Sequence, residues 1–126
     1  AGGGGGIPSY NRMDGILEGV DGVVDKDKTA ALIGRIIKAN EYFIITDVDN
    51  IYLNYNTKNE KIIDTATVSE IEKWLKEGHF GIGSMEPKIK SALYFLKYHG
   101  EKVVITSIKK LEQAIAGKAG TQIIKD

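Results

Sequence analysis

Short apolar runs without helical period alternate along this chain with longer amphipathic segments, and that alternation restricts the possible folds more than any other feature. Tyr42-Phe43-Ile44-Ile45-Thr46-Asp47-Val48 is rich in aromatic and β-branched residues, which predicts a strand buried on both faces. It closes on Asp47-Val48-Asp49-Asn50, a turn signal at the strand's carboxyl end. Lys102–Thr106 and Thr121–Lys125 read as two further strands. Between them lie helical patterns. Ala30, Ala31, Leu32, Ile33, Ile36 and Ile37 recur at helical spacing and predict a helix over Asp27–Ala39. Thr67-Val68-Ser69-Glu70 fits a capping box, opening a helix with Val68, Ile71, Trp74 and Leu75 on its apolar face and a stop at Gly78. Ser84 is positioned to cap a helix that starts Met85-Glu86-Pro87-Lys88, carries Ile89, Ala92, Leu93 and Leu96 on one face, and stops at Gly100. Ser107 is expected to cap a short helix through Leu111 and Ile115. Ser9–Asp14 and Asn54–Lys61 are polar enough for surface connections.

Strands alternating with helices predict an α/β fold, a layered α/β/α sandwich around a mainly parallel sheet. The 126 residues suffice for one domain. In such sheets ligands bind beyond the carboxyl ends of strands, where loops lead into helix N-termini. The chemistry is therefore expected at Asp47–Asn50, at His79–Lys88 and at the corner Asp25-Lys26-Asp27-Lys28.

Composition removes several function classes. The 17 basic and 17 acidic side chains cancel, leaving no global field to steer the chain onto nucleic acid or an anionic bilayer, though a local anion site remains open. Without cysteine there is no disulfide framework, thiolate zinc site or cysteine nucleophile. His79 and His99 are too few for most catalytic zinc sites, and no metal site is expected. No apolar run approaches the ~18 residues of a spanning helix, so a cytoplasmic protein is the expectation. One anomaly stands out: Gly2 to Gly6 are consecutive, in a chain that lacks an initiator Met. Either they are an appended linker or the sequence begins inside something larger.

The standard nucleotide signatures fail. Gly117-Lys118 is followed by Ala119, not by Ser or Thr, and Glu112 stands where a P-loop needs its first glycine. Gly81-Ile82-Gly83 is followed at the last fingerprint position by Glu86. Other phosphate-handling parts remain. Consecutive glycines let backbone N–H groups converge on an anion. Lys88, in the first turn of a helix, adds a point charge to that helix's N-terminal dipole. Asp27, between Lys26 and Lys28, can hold a lysine in place. Each part alone also has a bland reading: a linker, a solvated helix start, a surface lysine.

Taken in order the pieces are more specific. Gly3-Gly4-Gly5-Gly6-Ile7-Pro8, Val23-Val24-Asp25-Lys26-Asp27, Ile45-Thr46-Asp47-Val48-Asp49-Asn50-Ile51-Tyr52, Gly78-His79-Phe80, Gly83-Ser84-Met85-Glu86-Pro87-Lys88 and Gly117-Lys118-Ala119-Gly120-Thr121 together resemble the carbamate kinases, a branch of the amino acid kinase family. The likeness is to their C-terminal, nucleotide-binding part and runs over essentially the whole chain. Asn50 stands where the family usually has glycine; because Asn tolerates the left-handed conformation, the same turn is expected.

The resemblance implies reversible phosphoryl transfer between ATP and carbamate, giving ADP and carbamoyl phosphate, with Mg²⁺, in the cytoplasm and within arginine breakdown. It implies Lys88, Asp27 and Lys26 as the catalytic set, with Asp27 organising the two lysines. Asp47, Val48, Tyr52, His79, Met85, Pro87 and Lys88 would bind the nucleotide, and Gly4, Gly5 and Gly6 would bind the carbamate or the transferring phosphoryl group. It also implies an N-terminal half that carries most of the acceptor site and much of a homodimer interface, so that these 126 residues alone are expected to be inactive. Three alternatives stay open: an amino acid kinase with another carboxylate-type acceptor, a non-catalytic nucleotide-binding module, and a domain that only assembles with a partner chain.

Overall fold

A computed structural model describes residues 8–80 and 85–126. The chain opens with a hairpin of β1 (Ser9–Asn11) and β2 (Leu17–Gly19), followed by α1 (Lys26–Ile36) and β3 (Glu41–Thr46). A second hairpin, β4 (Ile51–Leu53) and β5 (Lys61–Ile63), leads to β6 (Thr65–Thr67), α2 (Val68–Lys76) and α3 (Met85–Tyr98). Then come β7 (Lys102–Ser107), a 3-10 turn at Ile108–Lys110, α4 (Leu111–Ile115) and β8 (Thr121–Ile124).

Four strands form the central sheet in the order β3-β7-β8-β6. The β3/β7 and β6/β8 pairs are parallel, as the alternating pattern predicts, and β7/β8 is antiparallel. The reversal follows from length. The five residues of α4 span about 7.5 Å, against roughly 20 Å for the six of β7, so α4 cannot carry the chain back for a parallel return.

Register puts Tyr42, Val103, Ile123 and Ala66 in one row across all four strands. With Ile44 and Ile105 they meet Ala31, Ile71, Ile89, Ala92, Phe95 and Leu96 from α1, α2 and α3. Phe95 explains two glycines. A Cβ on Gly34 would stand 2.8 Å from its ring, and one on Gly100 2.1 Å, closer than carbon atoms can approach. The other sheet face is covered more thinly, with α4 packed on β7 and Ala114 buried. Ile45 is 40% exposed there, so β3 is not buried on both faces as its composition predicts.

Several local expectations shift. The predicted helix end at Ala39 gives way to an end at Ile36, because Lys38 adopts φ 56°. Its N–H bonds Arg35 O (3.2 Å) and that of Ala39 bonds Gly34 O (2.8 Å), a Schellman closure without glycine. The Thr67/Glu70 capping box forms as read, and α2 ends before Gly78, which has φ 78°. Ser107 makes no cap; its hydroxyl donates instead to the Asp49 carboxylate, a stronger acceptor. Asn50 is not left-handed. Its amide donates to Ile63 O (3.3 Å) and Asp64 Oδ1 (3.4 Å), holding the turn through its side chain. Left-handed backbone falls at Asn54 and Asn56, inside the polar Asn54–Lys61 connection, where Lys61 already begins β5. Ser9–Asp14, read as a plain connection, includes β1, braced by Tyr10 OH on Glu18 (2.9 Å) and Arg12 on Asp14 (3.0 Å). The Ser84 cap and the Gly81-Ile82-Gly83 loop lie outside the described residues. Among the described residues no helix is long and apolar enough to cross a membrane.

Candidate functional site

Two of the three predicted catalytic residues meet. Asp25 caps α1 by accepting the Lys28 N–H (3.0 Å), which fixes the first turn and places Asp27 within it. Lys88 lies in the first turn of α3, and its Nζ donates to Asp27 Oδ2 at 2.9 Å. Both side chains are about four-fifths buried, with relative exposures of 19% and 23%, so this pair is screened less than a surface ion pair. The two helix N-terminal turns thus come together over one ion pair, and the positive ends of their dipoles favour an anion beside it. Lys26 stands exposed at the first position of α1, and the ion pair of Asp27 is with Lys88.

Two residues that the sequence reading passed over complete this corner. Ser91 Oγ donates to the Asp27 carbonyl at 2.6 Å, and Tyr42 OH donates to the same oxygen at 3.3 Å. Burial pushes the Tyr42 phenol above its ordinary pKa; the Ser91 hydroxyl works against this, while the charges of Asp27 and Asp25 add to it. A signal for Ser91 existed. It is a polar residue one turn beyond Lys88 on a helix whose neighbours Ile89 and Ala92 are buried, and a buried hydroxyl needs a partner.

The predicted nucleotide residues divide into groups. Asp47, Val48 and Tyr52 line one surface depression of about 430 Å³, together with Asp49, Tyr55, Asn56 and Glu60. It opens beyond the carboxyl end of β3, the position where the alternation of strands and helices predicts a ligand. Tyr52 and Tyr55 pack with ring centroids 5.6 Å apart. His79 sits just past the Gly78 closure. Its Nδ1 faces Asn54 Oδ1 (3.0 Å) and its Nε2 faces Glu77 Oε2 (3.2 Å), so both ring nitrogens are engaged within the chain and the ring face is what it can offer a ligand. Met85 packs against the core at the start of α3, and Pro87 beside it is exposed. Gly4, Gly5 and Gly6 lie outside the described residues.

The depression's inner wall depends on a residue with no chemistry of its own. Thr121 Oγ1 accepts the Ile51 N–H (2.7 Å) and donates to Ile63 O, so a single buried hydroxyl ties the β4/β5 hairpin to the central sheet. Among the described residues no group of three or more His, Cys, Asp or Glu side chains is arranged to hold a metal ion.

Comparison with known proteins gives this geometry a family. Residues 4–107 match the amino acid kinase family. Over 123 residues the chain is 44% identical to the carbamate kinase of Thermoplasma acidophilum, and over 126 residues 40% identical to that of Thermococcus kodakarensis; these matches take in 98% and 100% of the chain. They take in 40% of each relative, so the chain spans about two-fifths of the length of the curated proteins it matches. Among solved structures, carbamate kinase from Giardia lamblia bound to AMP-PNP superimposes with a TM-score of 0.91 at 38% identity, over 97% of this chain and 42% of that one. An N-acetylglutamate synthase from Neisseria gonorrhoeae shares the fold at a TM-score of 0.67 and 19% identity. With a layered α/β fold, two converging helix N-termini and a family match over most of its length, the chain belongs to the amino acid kinase family.

Proposed function

We propose that this chain is the C-terminal, nucleotide-side part of a carbamate kinase, which moves a phosphoryl group between carbamoyl phosphate and ADP. The observation that carries the reading is the Lys88/Asp27 pair at two helix N-termini, in a chain 40–44% identical to proteins named carbamate kinase. Phosphoryl transfer asks a protein mainly for positioning and for positive charge where the transferring group becomes more anionic. Lys88 supplies that charge and Asp27 holds its ammonium in one place. Lys26, at the exposed start of α1, adds a second cation from the same corner. Gly4, Gly5 and Gly6 contribute N–H donors to the carbamate end.

In this reading the adenosine lies against Asp47, Val48 and Tyr52, with His79, Met85 and Pro87 on the opposite side. Its phosphates then run toward Lys88. In the ATP-forming direction an ADP β-phosphate oxygen attacks phosphorus, the bond from phosphorus to the carbamate oxygen breaks, and carbamate leaves. Mg²⁺ would come bound to the nucleotide phosphates, which supply its ligands with few from the protein. A homodimer, a cytoplasmic location and a place in arginine breakdown belong to the same reading.

The test is ATP formation from carbamoyl phosphate and ADP, measured on the complete polypeptide that carries this sequence. Lys88→Met is expected to lower kcat at least 100-fold, and the isolated 126-residue chain is expected to show no turnover. Phosphorylation of a different carboxylate by the complete polypeptide, with none of carbamate, would overturn the acceptor assignment. Full activity in the isolated chain would overturn its assignment as one part of the enzyme.

A further inference from the structure

Asp27 is held at two points by one helix. Lys88 and Ser91 are three residues apart on α3 and therefore share a face. The first reaches the Asp27 carboxylate (2.9 Å) and the second its carbonyl oxygen (2.6 Å). Tyr42, from β3, donates to that same carbonyl at 3.3 Å. Ser91 is 1% exposed. A serine inside a helix commonly bonds back to a carbonyl of its own preceding turn. This one reaches across to α1 instead, and its bond spans 64 positions of sequence.

A carbonyl oxygen and a carboxylate fixed together leave Asp27 little freedom to rotate about its own backbone. Lys88 alone would restrain only the end of the side chain. We propose that Ser91 is a positioning residue for the phosphoryl-transfer corner: its hydroxyl, seconded by that of Tyr42, locks the first turn of α1 onto α3 and thereby sets where Asp27 holds the Lys88 ammonium. The inference rests on the functional reading above in naming phosphoryl transfer as what the lock serves; the lock itself is a matter of geometry.

Two measurements test it. The first needs no catalysis. An ammonium held in a part-buried ion pair exchanges slowly with water, and the Lys88 side-chain NH₃⁺ of the 15N-labelled complete polypeptide is expected to give a resolved 15N–1H correlation. In Ser91→Ala that signal should broaden or vanish, and in Tyr42→Phe it should weaken. The second is steady-state kinetics on the complete polypeptide. Ser91→Ala is expected to lower kcat about tenfold, since a misplacement on the order of 1 Å at a reacting centre costs up to about 100-fold. The KM for ADP should stay within about twofold, because Ser91 is not among the residues that line the depression of Asp47, Val48 and Tyr52. Tyr42→Phe is expected to cost about threefold in kcat.

A residue that merely fills space would lower the melting temperature and leave both readouts as in the unmodified protein well below it. An unchanged Lys88 signal in Ser91→Ala, or an unchanged kcat, overturns the inference. Absence of any ATP formation by the unmodified complete polypeptide overturns the functional reading instead, and the Lys88 signal still decides whether the lock exists.

Discussion

Thr121→Val should be far more damaging than its chemistry suggests. Valine matches threonine in shape, so the substitution removes one hydroxyl and opens no cavity. Thr121 is 0% exposed, and its hydroxyl bridges the Ile51/Ile63 pair at the end of the β4/β5 ladder. Losing it takes the 2.7 Å acceptor from the Ile51 N–H, at a cost of about 1–3 kcal/mol. The Ile63 carbonyl keeps the Asn50 amide at 3.3 Å and so loses less, on the order of 1 kcal/mol. The expected total is roughly 2–4 kcal/mol, or about 6–15 °C in Tm for a domain of this size. Thr121→Ser keeps the hydroxyl and deletes a methyl, which should cost only about 1 kcal/mol. Urea unfolding followed by circular dichroism measures both. Amide exchange adds a local check: Ile51 should lose protection in the valine variant, along with ADP affinity if the hairpin carries the Tyr52 wall. A valine variant within about 0.5 kcal/mol of the unmodified chain, or one equal to the serine variant, would refute the argument, because the hydroxyl would then be carrying no bond that matters.

Two smaller predictions concern single backbone and side-chain states. Lys38→Gly should stabilise the chain by about 1 kcal/mol in the same urea assay, since φ 56° strains a residue with a Cβ and suits glycine. Tyr42 should make stability fall in alkali. Its folded pKa is raised by burial above the ordinary value near 10, so the contribution is fully present below that pH and is lost as pH climbs through the folded value. Comparing urea midpoints of the unmodified chain and Tyr42→Phe from pH 8 to about 11 isolates this, and the phenylalanine variant should show the shallower decline.

Which parts of the molecule could be read in advance depends on where each signal resides. α2 was legible because its boundary is chemical: Thr67 and Glu70 satisfy each other's backbone N–H groups three residues apart, and both are visible in the sequence. The end of α1 was not, because Lys38 in a left-handed closure has no compositional mark. Periodicity ran on to Ala39, and tertiary context ended the helix sooner. The antiparallel turn of β8 was hidden for a related reason. A strand pattern carries no direction, and only the shortness of α4 decides it.

The site divides along the same line. Asp27 and Lys88 are 61 positions apart, yet each sits at a helix start that its own neighbours specify, so finding both starts was enough to suggest an anion corner. Ser91, Tyr42 and Thr121 act through hydroxyls that reach 64, 15 and 70 positions away. Nothing local distinguishes Tyr42 and Thr121 from ordinary strand residues, and the one mark on Ser91 is a polar side chain on the buried face of α3. Asn50 shows how a local rule can select the right residue for the wrong reason. Its tolerance of left-handed backbone goes unused, and its amide, 13 positions from Ile63, performs the tethering. Motif reading finds groups whose chemistry is advertised by their neighbours. The residues that aim those groups are buried polar atoms with one distant partner each, and they become visible only when every buried donor in the fold is asked where its bond goes.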